Sequence, residues 1–355
     1  MKKGIIVLFS ILLLVSKVEG RVPGFGRLAQ VATAALRQKR GMNGMAASVA
    51  KTSQGTNEMP IVVLDFSGST ADDRCDAPVG PFVETYAAEG ITITEEEARA
   101  PMGLAKDKHI AQIPVMSPSV AQEWERVHGR SINQEDVDRM FARFKPLQIQ
   151  AVKDFSTLIE GARETHRALI KIGIEYIGGT TGFFKEAADA FRECVGEQGF
   201  HFSHIVCPDD VGGKGRPAAD QETGGYGMVL ENMKKAGVYD PRLVIKAGDT
   251  EGDIEEGRRI EEVYGTPTWT VGFYQKGNYW PFTDEQVAAM SPEEYAHNLL
   301  YAKYRLGRAN FLIPSIAQLP GVVESIMELN RRGITPDQFN EIHSKQVQEC
   351  PLWQR

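Results

Sequence analysis

Five short apolar runs, separated by stretches with a helical pattern, constrain the fold of this chain more than any other feature. They cover residues 61–64, 172–177, 205–207, 243–246 and 269–274. Strands that alternate with helices form a parallel sheet with helices on both faces, so the chain is predicted to be an α/β protein. Ligands bind to such sheets beyond the carboxyl ends of the strands. The residues that follow each run are therefore the candidate site.

Acidic residues, a hydroxyl and a guanidinium follow the first four runs. The loops are DFSGST, GGTTGF, PDDVGGKGRP and GDTEGD, and the side chains of interest in them are Asp65, Thr181, Arg216, Asp249 and Asp253. Two aspartates from separate strands supply the hard oxygen ligands that Mg²⁺ prefers. A threonine that opens a helix and an arginine suit phosphoryl oxygens. Each feature alone is also common as a helix cap or turn, but their joint occurrence favours a phosphoryl-transfer site.

Ser67 separates this chain from ordinary phosphate-ester hydrolases. An enzyme that protonates an oxygen leaving group needs a general acid, and a second carboxylate two positions after Asp65 would be expected to provide it. That position holds Ser67. Serine is too weak an acid for this role at neutral pH, so the leaving group is predicted not to be an ester oxygen.

About a hundred residues lie between the first two runs, which is too many for a simple crossover. Helical patterns begin near Glu95, Val120 and Glu135. We therefore predict an all-helical cap domain at residues 76–156, inserted into a core domain formed by residues 58–75 and 157–330. A cap of this kind can close over a site at the sheet edge and exclude water.

The predicted cap contains the stretch PMGLAKDKH, in which Lys106 and His109 are three positions apart. That spacing places both side chains on one face of a helix. Asp107 and Lys108 are charged as well, so the pattern alone is also typical of a solvated helix face.

The first 57 residues differ from the rest of the chain. In residues 1–20, two lysines precede an apolar run that is short for a bilayer span, which indicates a secretory signal peptide; the alternative is an uncleaved anchor. Residues 21–57 carry six basic and no acidic side chains. They resemble either an organelle transit peptide or a disordered basic linker. A bipartite leader of this type would direct the chain through the secretory pathway to a plastid-type organelle.

The charge of the remaining residues excludes one class of partner. Nine of the 40 basic residues but only one of the 47 acidic residues lie in residues 1–57, so the remainder has a formal charge of −15. Nucleic-acid-binding proteins present a basic face, so we expect no nucleic-acid partner, and no membrane partner for the mature chain. An anionic substrate would need a metal ion or a local arginine.

The four cysteines do not suggest a disulfide framework or a zinc site. Cys75, Cys194, Cys207 and Cys350 are widely spaced and lack a C-x-x-C pair, so free thiols are expected. The stretch HFSHIVC at residues 201–207 is not taken as a metal site, because alternate positions of a strand face opposite sides.

Taken together, these motifs resemble the phosphonoacetaldehyde hydrolase (phosphonatase) family of the haloacid dehalogenase superfamily. The order DFSGST, PMGLAKDKH, GGTTGF, PDDVGGKGRP and GDTEGD carries the resemblance, which extends from about Met59 to about Glu328. PMGLAKDKH, paired with a first motif that lacks a second aspartate, is its most specific part. The resemblance implies a Rossmann-like core with an inserted helical cap, a Mg²⁺ cofactor and a homodimer. Residues 331–355 form a C-terminal extension without an assigned counterpart.

The resemblance further implies a reaction and the residues that perform it. The reaction is hydrolysis of the carbon–phosphorus bond of phosphonoacetaldehyde to acetaldehyde and phosphate. Asp65 would attack phosphorus and form an aspartyl phosphate, Lys106 would form a Schiff base with the aldehyde, and His109 would handle protons. Lys106 would need a lowered pKa in order to attack as the free amine.

The resemblance also implies the binding residues. The Mg²⁺ ligands would be Asp65, the backbone carbonyl of Ser67 and Asp249, supported by Asp253. The residues that bind the phosphoryl group or line the pocket would be Thr181, Gly182, Arg216, Met102, Gly103 and Cys75.

Three positions depart from the family pattern. Ser67 stands where alanine is usual, Ser69 where threonine is usual, and Phe183 where a tyrosine usually follows T-T-G. Phe183 therefore lacks a phenol hydroxyl near the Schiff base. Two other functions remain open at this stage: a phosphomonoesterase on the same core, and a homologue that binds phosphonates without turnover.

Overall fold

A central parallel sheet organises the part of the chain that the computed structural model describes, which comprises residues 59–213, 215–216 and 227–341. Its six strands are β1 (Ile61–Leu64), β2 (Ile177–Thr180), β3 (His204–Val206), β4 (Val244–Gly248), β5 (Trp269–Phe273) and β6 (Phe311–Ile313). All pairings are parallel, in the order β3-β2-β1-β4-β5-β6. The predicted α/β fold with a parallel sheet is confirmed, and Asp65 directly follows a central strand.

Five helices lie within residues 76–156, between β1 and β2, where the sequence predicts an inserted helical segment. They are α1 (Asp76–Ala87), α2 (Glu95–Arg99), α3 (Lys106–Met116), α4 (Pro118–His128) and α5 (Gln134–Phe155). Capping boxes begin α2 at Thr94 and α5 at Asn133. Such a box pairs two otherwise unsatisfied groups of the first turn. The division into a core domain and a cap domain stays a prediction, since residues 58–342 form a single compact unit.

The two connections between the sheet and these five helices run side by side. The backbone N–H of Asp72 donates to the carbonyl of Thr157, and the N–H of Ile159 donates to the carbonyl of Thr70, both at 3.0 Å. The chain therefore enters and leaves the helical segment at one place, and this pair of connections fixes where α1 begins and where α5 ends.

Of the remaining helices, the first leads from the helical segment into β2 and the others follow strands β2 to β6. They are α6 (Ala162–Ile172), α7 (Lys185–Glu197), α8 (Met228–Ala236), α9 (Glu251–Arg258), α10 (Glu261–Tyr264), α11 (Asp284–Ala289), α12 (Pro292–Arg305) and α13 (Leu319–Arg331). No helix in the described ranges is long and apolar enough to cross a membrane. The predicted signal peptide at residues 1–20 and the basic leader at residues 21–57 lie outside the described residues.

The second predicted strand, at residues 172–177, is wrong in its position. α6 continues through Ile172 and ends at Gly173, whose φ of +106° suits glycine. β2 begins only at Ile177 and includes Gly178 and Gly179. A Cβ on Gly178 would lie 2.3 Å from Oδ1 of Asn232, so close packing against α8 requires glycine there.

The expectation that Thr181 opens a helix is also wrong. α7 begins four residues later, at Lys185. The hydroxyl of Thr181 instead accepts a hydrogen bond of 3.1 Å from the backbone N–H of Phe183. Thr181 therefore lies in a tight loop at the end of β2, close to the end of β1.

Part of the predicted C-terminal extension packs on the sheet. The ring of Phe339 stacks on Phe311 of β6, with 4.8 Å between centroids, and meets Trp269 of β5 edge-on at 5.8 Å. The amide of Asn310 donates to the carbonyl of Pro336. β6 itself was missed by the sequence analysis, because it has three residues and only Ile313 is buried.

Replacing Phe339 with alanine tests this packing. The half-buried ring stacks on Phe311, so we expect its removal to lower the free energy of unfolding by about 2 kcal/mol, somewhat less than for a fully buried phenylalanine. Denaturant unfolding measures the change. Leu300→Ala is the control, since Leu300 is 46% exposed and its loss should cost less than about 0.5 kcal/mol. Equal effects of the two substitutions would contradict the prediction.

Candidate active site

Asp65 is held at the centre of the sheet edge. Its backbone N–H donates to the carbonyl of Ala247 in β4 at 3.0 Å, and its own carbonyl accepts from the hydroxyl of Thr70 at 2.8 Å. A guanidinium N–H of Arg216 donates to its carboxylate and to the carbonyl of Thr180. Burial raises the pKa of Asp65, and the charge of Arg216 opposes that rise. The structure thus brings together the predicted nucleophile and the predicted phosphoryl-binding cation.

Asp249 lies beside Asp65 and is fully buried. One carboxylate oxygen accepts from the hydroxyl of Ser69 at 2.9 Å, and the other accepts from the backbone N–H of Asn278 at 2.7 Å and from the thiol of Cys75 at 3.4 Å. Burial raises the pKa of Asp249 to about 8, and the charges of Asp65 and Asp253 add to the rise.

Asp253 anchors the cations around the site. One of its oxygens accepts from Lys246 at 2.6 Å and pairs with Arg216 at 2.9 Å. The other accepts from the hydroxyl and the backbone N–H of Thr250, at 2.6 and 3.1 Å. Burial alone would raise the pKa of this carboxyl, but Arg216 and Lys246 hold it below its usual value. Because its charge is already paired with Arg216 and Lys246, Asp253 fits the supporting role predicted for it.

The charges in this cluster are unbalanced in a way that suits a divalent cation. Lys246 and Arg216 form ion pairs in this cluster. The buried carboxylates around them number four and are those of Asp65, Asp249, Asp253 and Glu256. Oxygens of Asp65, Asp249 and Asp253 lie within 4.8 Å of one another. Uncompensated buried charge is costly, and carboxylate oxygens are preferred Mg²⁺ ligands. The residues present therefore fit a magnesium ion.

Lys106 is buried, as the predicted role requires and as a solvated helix face would not allow. It is 4% exposed at the start of α3. Its Nζ lies 5.0 Å from the ring centroid of Phe183 and 5.6 Å from that of Phe82. Burial lowers the pKa of Lys106 to about 8, while the charge of Asp65 acts in the opposite direction.

His109 lies one turn further along α3 and is fully buried. Its Nε2 lies 2.8 Å from the carbonyl oxygen of Ala98. That carbonyl can only accept, so Nε2 carries the proton and Nδ1 presents a lone pair without a hydrogen-bond partner among the described residues. The ring stacks on Phe82 with 3.8 Å between centroids. Burial and the charge of Lys106 lower the pKa of His109 well below its usual value, so the ring is neutral.

One cavity joins most of the predicted site residues. The residues that line it are Asp65, Ser67, Cys75, Pro78, Met102, Gly103, Lys106, Thr181, Gly182, Phe183, Arg216 and Thr250. Nine of these were predicted from the sequence as site residues. Asp249, Asp253 and His109 do not line it: the two aspartates accept hydrogen bonds from the lining residues Cys75 and Thr250, and His109 stacks on Phe82.

Several functional residues were missed by the sequence analysis. Lys246 was visible as a charge inside an apolar run, and Glu256 lies one helical turn after Asp253, so both left a signal. Phe82 left none, because its position beside Lys106 depends on how α1 packs. The described cysteines, Cys75, Cys194 and Cys207, are free thiols as predicted.

Known proteins share both the sequence and the fold. No family model matches the chain. It is 35% identical over 277 residues to the phosphonoacetaldehyde hydrolase of Paraburkholderia xenovorans (strain LB400), which covers 78% of this chain and 98% of that protein. It is 33% identical over 267 residues to the phosphonoacetaldehyde hydrolase of Bacillus cereus (strain G9842), with 75% and 95% covered.

Solved structures agree with these relatives. The crystal structure of a phosphonoacetaldehyde hydrolase-like protein from Oleispira antarctica matches with a TM-score of 0.70 and 32% identity, covering 80% of this chain and 100% of that one. A β-phosphoglucomutase from Clostridium difficile, with a TM-score of 0.53 and 13% identity over 76% of this chain and 98% of that one, shares the fold alone. Since identity above 30% extends over nearly the whole length of the curated relatives, the chain belongs to the phosphonoacetaldehyde hydrolase family, whose fold is that of the haloacid dehalogenase superfamily.

Proposed function

We propose that this chain hydrolyses the carbon–phosphorus bond of phosphonoacetaldehyde through a Schiff base on Lys106 and a phosphorylated Asp65. The observation that carries the proposal is that a buried lysine and a buried aspartate line one cavity. A phosphomonoesterase would need the aspartate and its metal, but would have no use for the lysine.

The chemistry of the bond explains why an amine is needed. A phosphonate has no bridging oxygen between carbon and phosphorus, so protonation cannot assist departure of the leaving group. The carbon must instead accept the electron pair of the broken bond. An imine formed between Lys106 and the aldehyde provides that electron sink, and the leaving group departs as an enamine. The absence of an acid at Ser67 is consistent with this route.

The surroundings of Lys106 suit both states that the lysine must adopt. With a pKa of about 8, a useful fraction of the side chain is the free amine that attacks the aldehyde. The protonated imine formed afterwards is a cation, and the faces of Phe82 and Phe183 stabilise a cation within about 6 Å.

Asp65 would attack phosphorus as the carbon–phosphorus bond breaks. Arg216 orients the carboxylate, and Thr181 and Gly182 lie in the same cavity wall, where they would bind phosphoryl oxygens. Water then releases phosphate from Asp65. On the carbon side, the enamine takes up a proton, and hydrolysis of the resulting imine releases acetaldehyde and regenerates Lys106.

Magnesium is the proposed cofactor. Asp65, Asp249 and the backbone carbonyl of Ser67 would hold it, with Asp253 in support. When bound, the ion offsets negative charge as the anionic carboxylate approaches an anionic phosphonate.

His109 is the proposed proton carrier for Lys106. The bond from Nε2 to Ala98 fixes the ring, so any proton exchange must take place at Nδ1. A neutral ring with a free Nδ1 can accept the proton that nitrogen loses as the amine adds to the aldehyde and can pass it to the former carbonyl oxygen, and the reverse transfer serves hydrolysis of the imine.

Trapping with borohydride tests the Schiff base. Borohydride added with phosphonoacetaldehyde should reduce the imine to a stable secondary amine on Lys106, which peptide mass spectrometry locates. The initial rate of trapping should rise with pH through about 8, because the free amine is the attacking form. Lys106→Arg should abolish the adduct and slow cleavage by a factor on the order of 10³ or more.

Lys108→Ala is the matched control, since Lys108 is exposed two positions away, and it should behave as the wild type. An active enzyme that yields no adduct on Lys106 would disprove the mechanism. Cleavage of simple phosphate esters that survives Lys106→Arg would favour the phosphomonoesterase function.

Asp249→Asn tests the metal site. Mg²⁺ that binds the folded protein should raise the melting temperature in a concentration-dependent way. We expect this shift, together with phosphate release, to be lost in Asp249→Asn and the shift to be retained in Lys106→Arg. Asp189→Asn, a change at an exposed carboxylate paired with Lys185, is the control. An undiminished Mg²⁺-dependent shift in Asp249→Asn would rule out Asp249 as a ligand.

A homodimer is proposed from membership of the family. Multi-angle light scattering should report a mass of twice the single chain at micromolar concentration. A sample that stays monomeric across that range would contradict the proposed dimer.

A further inference from the structure

Ser67 carries a buried hydroxyl that the protein leaves without a partner. The residue is 8% exposed, and its Oγ makes no hydrogen bond to any described residue. The two other hydroxyls of the same turn are both engaged: Ser69 donates to Asp249 and Thr70 donates to the carbonyl of Asp65. An unpaired buried hydroxyl costs stability, so its presence calls for an explanation.

Ser67 lies at the cavity that contains the other site residues. Phe66 packs into the core, stacked on Phe191 at 4.2 Å between centroids. Asp65 and Ser67 are its two neighbours in the sequence. Both line the cavity that also contains Lys106. Ser67 therefore borders the space that the substrate would occupy.

Asp72 is the nearest competitor for the Ser67 hydroxyl. Burial raises the pKa of Asp72 and the nearby Ser67 hydroxyl acts in the opposite direction, but the two groups do not reach hydrogen-bond geometry. The two oxygens of Asp72 accept from the backbone N–H groups of Asp76 and Ala77, at 2.8 and 3.0 Å. Asp72 thus caps the first turn of α1, while Ser67 Oγ has no hydrogen-bond partner among the described residues.

The other polar groups of the cavity wall are already assigned. Cys75 donates to Asp249, and Thr250 donates to Asp253. Arg216 and Thr181 lie where the phosphoryl group would bind. The remaining wall around Lys106 includes the apolar side chain of Phe183, which has no hydroxyl. Among the described residues of the wall, Ser67 therefore offers the free side-chain hydroxyl for the carbon end of the substrate.

We propose that Ser67 is a substrate-contacting residue whose hydroxyl donates a hydrogen bond to the aldehyde oxygen of the substrate during imine formation. This inference rests on the proposed function. The amine of Lys106 adds to the aldehyde carbon, and the former carbonyl oxygen becomes a hydroxyl after proton transfer from nitrogen. That hydroxyl takes up a proton and leaves as water, giving the protonated imine. Ser67 keeps its own proton throughout and stabilises the negative charge that builds on this oxygen.

Ser67→Ala tests the proposal, with Thr85→Val as the matched control. Thr85 also has a buried hydroxyl without a partner, but lies in α1 and does not line the cavity. In single-turnover mixing followed by borohydride quench, Ser67→Ala should form the Lys106 adduct about tenfold more slowly, as expected for one lost hydrogen bond. Thr85→Val should form it at the wild-type rate.

Two further measurements separate this role from others. The inhibition constant of inorganic phosphate, a probe of the phosphoryl end, should be the same in Ser67→Ala and the wild type. The melting temperature should be unchanged or slightly higher, because an unpaired hydroxyl has been removed. Parallel losses in phosphate binding and adduct formation would overturn the proposal in favour of a phosphoryl contact.

An adduct formed at the wild-type rate in Ser67→Ala would likewise overturn the proposal, and a lower melting temperature with that result would point to a bond with Asp72. If the wild type itself forms neither adduct nor acetaldehyde, the proposed function fails and the role of Ser67 falls with it. The wild-type reaction therefore distinguishes failure of the function from failure of the inference.

Discussion

The buried charge cluster at the carboxyl ends of β1, β2 and β4 is the constraint on which the rest of the structure depends. Its carboxylates outnumber its paired cations, and each accepts a hydrogen bond from a neighbouring strand or loop. Two glycines pack closely against Asp249. A Cβ on Gly277 would lie 2.1 Å from its carboxylate, and one on Gly68 would lie 2.5 Å away. Both glycines also have positive φ. The two glycines therefore let both loops pack closely against Asp249, and a bound cation can offset the excess charge.

The helical segment between β1 and β2 completes the site by adding the opposite property, an apolar environment. Phe82 lies in α1 and contacts both Lys106 and His109 of α3, while Phe183 approaches Lys106 from the sheet. Desolvation by these rings and by the surrounding chain lowers the pKa of Lys106, whereas Asp65 raises it. The reactivity of the lysine thus depends on a balance between an apolar wall from one part of the chain and a carboxylate from another.

The sequence predicts the components of this site better than their packing. Asp65, Asp249 and Arg216 follow apolar runs, so strand topology alone brings them together. Boundaries near β2 were misplaced because two glycines inside the strand, Gly178 and Gly179, have the composition of a loop. They occur there because Asn232 and Phe66 approach the backbone closely. Contacts such as that of Phe82 with His109 depend on the angle at which helices pack, which no local pattern encodes.

The departures at Ser67 and Phe183 are connected through the cavity they share. Phe183 presents an apolar face to Lys106, which favours the cation of a protonated imine but offers no hydrogen bond to the oxygen that must leave first. Ser67, which lies in the same loop as Asp65, supplies a hydroxyl at the same cavity. A hydroxyl too weak to protonate a leaving group is still strong enough to orient an aldehyde. The two positions therefore divide between them the stabilisation of the cation on nitrogen and of the charge on oxygen.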